Sequence, residues 1–134
     1  MDFLDKRVGV ICNELKKLKV KQIFPLTQWE YKEGNFVHPE DALNDAAAWE
    51  NFDCKTMHWY GKDRHYWFRT VYTVPQELDG KNMWIRISSQ IDEWDDAKNP
   101  QFIVFINGEI YQGIDMNHRE CLITQSAKAG DTLT

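Results

Sequence analysis

The chain has 134 residues, a length that predicts one domain able to bury a single continuous core. With 43% hydrophobic and 28% charged residues and a net charge of −5, it is neither disordered nor equipped electrostatically to hold nucleic acid or an anionic membrane. The longest apolar runs, such as Phe102-Ile103-Val104-Phe105-Ile106, fall far short of the roughly 20 residues a membrane helix needs.

Residues 2–20 read as an amphipathic helix. Leu4, Val8, Ile11, Leu15 and Leu18 recur at steps of 4, 3, 4 and 3, which places them on one face. Asp2 and Asp5 near the start, and Lys16, Lys17 and Lys19 near the end, complement the helix macrodipole. Acidic residues share the polar face and no Trp anchors it, so packing against protein is expected rather than a membrane surface.

Residues 21–50 are broken up by Pro25, Gly34 and Pro39. They read as an extended segment wrapping a sheet, anchored by Phe24, Trp29, Tyr31 and Phe36. Pro39-Glu40-Asp41 opens a short helical turn over Ala42–Trp49.

From residue 56 the pattern is β. His65–Val74 is aromatic and β-branched and stops at Pro75, and Gln76–Lys81 makes a turn. Met83–Ser88 alternates, with Met83, Ile85 and Ile87 on one face and Trp84, Arg86 and Ser88 on the other. After the acidic loop Asp92–Asn99 comes a strand at Gln101–Ile106. Asn107-Gly108 then leads into Glu109-Ile110-Tyr111, a hairpin because a type I′ turn needs positive φ at both central residues. Residues 120–125 form a further strand and Ala129-Gly130-Asp131 a further turn. Thr132-Leu133-Thr134 opens another strand just as the sequence stops, which predicts the N-terminal piece of a longer protein. The division expected is a helix and wrapping segment over 1–50, then a β-sandwich over 51–134.

Six Trp, five Tyr and seven Phe suit either a core filled with rings or a surface that stacks on sugars. Cys12, Cys54 and Cys121 are scattered and odd in number, the N-terminus lacks the form of a signal peptide, and no Asn-X-Ser/Thr sequon occurs. A cytoplasmic protein with reduced thiols is expected.

Several groups are candidates for chemistry. Asp92, Glu93, Asp95 and Asp96 crowd one loop, as solvated acids, a weak calcium site or paired carboxylates. Cys54, His58, His65 and His118 are zinc-type ligands, but their spacing fits no standard site, and no metal or catalytic residue is expected here. Asp115, Asn117, His118 and Arg119 follow a hairpin strand. There Asp115 either caps local amides, with Asn117 at positive φ, or the loop faces a sugar or another domain. Asp63, Arg64 and Arg69 raise the same alternatives, with Arg69 placed to pair with an acid across the sheet. Trp59, Tyr60, Tyr66 and Trp67 would make a stacking platform if they shared an exposed face. Alternation instead sets Tyr66 and Phe68 against Trp67 and Arg69.

Four segments resemble the α-mannosidases of glycoside hydrolase family 38, of the cytosolic bacterial and fungal-vacuolar type. They are Trp29-Glu30-Tyr31-Lys32-Glu33-Gly34, the run Gly61–Arg69 with its Val74-Pro75 ending, Phe105-Ile106-Asn107-Gly108, and Gln112–Glu120 (Gln-Gly-x-Asp-x-Asn-His-x-Glu). Together they span residues 29–120 in family order. The resemblance implies a jelly-roll β-sandwich of the galactose-binding-domain-like kind. It also implies a non-catalytic N-terminal domain of an enzyme that removes terminal α-mannosyl residues from oligosaccharides. Its partners would be the catalytic domain of the same chain, mannose-containing oligosaccharide through the full enzyme, and a second copy in a homo-oligomer. Zinc and the nucleophile of the retaining mechanism would lie downstream. The class this leaves as alternative is a free-standing carbohydrate-binding module.

Overall fold

The computed structural model describes residues 3–19, 22–89 and 100–134. The acidic loop with Asp92, Glu93, Asp95 and Asp96 lies outside the described residues. The fold is β-rich, with strands arranged in small antiparallel sheets.

Helix α1 (Phe3–Lys19) lies inside the predicted span. Its apolar stripe is not buried, since Leu4, Val8, Ile11 and Leu15 are between 51% and 65% exposed.

The segment expected to wrap a sheet instead contributes that sheet's central strand. β1 (Gln28–Glu33) lies between β2 (Glu50–Asp53) and β3 (Tyr66–Arg69), antiparallel to both. The alternation that drives this pairing, Trp29 and Tyr31 against Glu30 and Lys32, spans six residues between Pro25 and Gly34 and is too short to stand out as a period.

α2 (Pro39–Asn44) opens with Pro at its first turn, followed by Glu40 and Asp41, but stops five residues before Trp49. Asp45 ends it by turning extended and accepting the Ala47 amide at 3.0 Å, a local side-chain bond that competes with the helix ladder. Trp49 is thereby freed to lie on the sheet.

The predicted strand His65–Val74 is two strands meeting at a corner. β4 (Tyr72–Thr73) leaves the first sheet and pairs with β9 (Thr132–Leu133), while Thr70 Oγ1 at the bend donates to the Gln28 carbonyl at 2.9 Å. The sequence leaves β9 without an evident partner, and the structure supplies one within the chain. Thr134 completes the tie, its amide donating to Asn107 Oδ1 at 3.0 Å and its carbonyl accepting the Asn107 amide at 2.9 Å.

β5 (Met83–Arg86) pairs with β8 (Glu120–Thr124), and the predicted alternation holds: Met83 is 5% exposed and Trp84 51%. β6 (Phe102–Ile106) and β7 (Glu109–Ile114) form the predicted hairpin, with φ of 52° at Asn107 and 83° at Gly108. Two apolar clusters hold these strands. Val104, Ile106, Ile114 and Cys121 form one, while Val74, Met83 and Ala127 form the other, and Ile123 and Leu133 touch both. No helix among the described residues is long and apolar enough to cross a membrane.

Candidate functional site

The two faces of the β2–β1–β3 sheet differ in chemistry because side chains alternate along each strand. One face is a ring cluster. Tyr31 stacks on Phe68 at 5.8 Å, Phe52 meets Tyr31 and Phe68 edge-on at 5.2 Å each, and Trp59 meets Phe68 at 5.0 Å. These offset and T-shaped contacts are the arrangements that ring quadrupoles favour.

The other face holds two cations around one indole. The Lys32 ammonium lies 4.8 Å from the Trp49 ring centre and 5.4 Å from that of Phe36, and the Arg69 guanidinium lies 4.3 Å from Trp49. Lys32 is only 4% exposed, and its charge is met by Asp45 Oδ2 at 3.3 Å and by the Asp45 and Ala47 carbonyls at 3.4 Å. The Ala47 amide and then Lys32 hold the Asp45 carboxyl below its ordinary value. Arg69 donates to Glu30 Oε2 at 2.7 Å, and the two residues are direct cross-strand partners, so the expected acid opposite Arg69 is present.

The sequence-predicted residues separate into two places. Trp67 projects toward β6 and stacks on Phe105 at 5.6 Å and 26°. Arg64 pairs with Glu33 at 3.4 Å, and the Tyr66 hydroxyl, followed by the Glu33 carboxylate, raises its pKa further. Asp63, at φ 56°, and Gly61, at φ 149°, shape the loop before β3, and a Cβ on Gly61 would collide with the Arg64 side chain.

Asp115, Asn117, His118 and Arg119 form a second, self-contained group between β7 and β8. Asp115 Oδ1 accepts the His118 amide at 2.7 Å and the Asn117 amide at 2.8 Å, and lies 3.3 Å from His118 Nδ1. Those two amides hold its carboxyl below the ordinary value. Arg119 Nε donates to the Met116 carbonyl at 3.0 Å, and Gln112 Nε2 to the Glu120 carbonyl at 2.8 Å. Of the two readings of Asp115, the capping geometry is the one observed. The positive φ expected at Asn117 is not: among the described non-glycine residues only Asp63 and Asn107 have it. Two amide bonds to Asp115 close the turn without a left-handed residue.

A cavity of about 1750 Å³ borders the first sheet. Its walls include Trp29, Trp49, Trp59, Trp67, Arg64 and Arg69, but not Asp63 or residues 115–119. The four rings proposed as one stacking platform do not share a face. Trp59 meets Phe102 at 6.0 Å and Tyr66 lies by Tyr31, whereas Trp67 turns to Phe105 and Tyr60 stands 78% exposed beside His58. Among the described residues no group of three His, Cys, Asp or Glu side chains is placed to hold a metal ion. Sequence reasoning did not single out Lys32 and Trp49 as a pair, since Lys32 lies in the brief alternation of β1 and Trp49 outside it, while Glu30 is the acid expected opposite Arg69. No protein-family model, no curated protein and no solved structure matches this chain.

Proposed function

We propose that this chain is the non-catalytic N-terminal domain of a cytosolic α-mannosidase, a jelly-roll sandwich that serves as scaffold for a catalytic domain in the same polypeptide. The observation that carries this reading is what the family-like residues do. Asn107-Gly108 makes the hairpin turn, Gln112 and Asp115 bond to neighbouring backbone, and Trp67 stacks on Phe105. Residues that build a fold are what two proteins sharing a domain have in common, and no reaction is asked of them. Apolar side chains remain on the outer strands for a partner to cover: Trp84 is 51%, Ile103 62% and Ile110 68% exposed.

In this reading mannoside hydrolysis, its zinc and its carboxylates belong to the downstream domain. The second reading, a free-standing carbohydrate-binding module, is favoured by the cavity and its five Trp residues. Calorimetric titration of the chain with mannose oligosaccharides, beside an aryl α-mannoside assay, separates the two. The scaffold reading predicts neither binding nor turnover. Binding without turnover would transfer the assignment to the module.

A further inference from the structure

We infer that the cavity beside β3 is a binding site for an aromatic carboxylate, with Arg69 taking the carboxylate and the tryptophans of the wall taking the ring. The inference goes beyond the scaffold reading and does not depend on it. Its ligand is an anion, unlike the neutral sugar of the module reading.

Charge sets the sign of the ligand. The whole chain carries 16 basic and 21 acidic residues, yet the cavity wall reverses that balance, with Arg64, Arg69, Lys81 and Arg86 against Glu40 and Glu120. Glu30 and Glu33, which pair with Arg69 and Arg64, are not part of the wall. A cationic lining in an acidic protein draws anions toward the cavity.

Arg69 is already set to take one. It ends β3, where the Thr70 hydroxyl fastens the bend to the Gln28 carbonyl. Its Nε donates to Glu30 Oε2 at 2.7 Å, and its guanidinium lies 4.3 Å from the Trp49 ring centre. Held by a bond on one side and an indole on another, the planar group has little side-chain freedom left to lose on binding. The bond to Glu30 engages Nε alone. Among the described residues the two terminal nitrogens have no hydrogen-bond acceptor, and they form the edge that meets a carboxylate with two parallel bonds. The side chain is 35% exposed and lines the cavity.

The rest of the wall sets the body of the ligand. Five Trp line the cavity, and Trp67 and Phe105 of the wall stack on each other at 5.6 Å. Trp67 and Arg69 are two residues apart in β3 and so share a face, about 7 Å from each other along the strand. A flat bicyclic carboxylate spans that interval, with its ring beside Trp67 and its oxygens at Arg69. Ring meets ring through offset and edge-on contacts, which an alkyl chain does not make.

Calorimetric titration of the 134-residue chain with 2-naphthoate, the neutral naphthalenemethanol and decanoate tests this. Naphthoate should bind, and the alcohol should bind at least roughly tenfold more weakly for want of the charge-assisted pair. Decanoate should also bind more weakly than naphthoate. Arg69→Lys keeps a charge opposite Glu30 but removes the fork, so it should weaken naphthoate binding roughly tenfold with the near-UV circular dichroism unchanged. Phenylglyoxal labelling, read by peptide mass, needs no variant. Naphthoate should slow the labelling of Arg69 and leave that of Arg7, which lies on α1 and not on the wall. The proposal is overturned by absence of binding, by equal affinity for the alcohol, by an affinity untouched in a folded Arg69→Lys, or by Arg69 labelling indifferent to naphthoate. Decanoate binding as tightly as naphthoate overturns the aromatic body.

Discussion

Lys32 shows how a charged residue becomes a structural one. Its stem and ammonium are enclosed by Trp49 and Phe36, and its three oxygen partners come from the stretch Asp45–Ala47. It therefore fastens the chain between α2 and β2 onto the sheet. Lys32→Ala should cost about 2 kcal/mol in urea unfolding, through lost packing of the stem and lost charge-assisted bonds. Asp115 gives a prediction in pH. Its folded-state pKa is depressed below 3.8, so its stabilising effect is complete above that value and is lost as pH falls through the folded pKa. Asp115→Asn should thus lower the unfolding midpoint at neutral pH, and the gap to the parent should close in acid below 3.8. The role of Asp115 was legible in sequence because an Asx turn is local, needing only residues two and three positions on. That of Lys32 was not, because its partners lie 13 and 15 residues away and a lysine gives no sign of burial.

At the level of elements, the hairpin β6–β7 shows local chemistry dictating structure. Both central residues have positive φ, and no atom lies near a Cβ built on Gly108, so its requirement is purely conformational. Gly108→Ala should destabilise by roughly 1–2 kcal/mol, the cost of a left-handed non-glycine residue, read as a fall in thermal midpoint. Helix α1, the alternation of β5 and this hairpin were all visible in sequence, since each has a sustained period or a specific turn. β1 and β2 were not, because strands of six and four residues carry too few alternations. The corner between β3 and β4 was hidden for a different reason. Tyr66–Thr73 is uniformly strand-like, and only the pairing of Tyr72 with Leu133, far along the chain, decides that the strand must turn.

On the scale of the whole molecule, apolar surface stays open in several places. One is the apolar face of α1, and another is the outward residues of β5, β6 and β7. Residue types announce exposed apolar surface poorly, because a leucine on an open face and one in a core read alike, and only the fold separates them. The scaffold account rests on a catalytic domain continuous with this chain. The direct test is the mass of the native protein in its source cells, by immunoblot with an antibody raised against these 134 residues. The account predicts a band several times larger than 15.9 kDa, and a band at 15.9 kDa would contradict it.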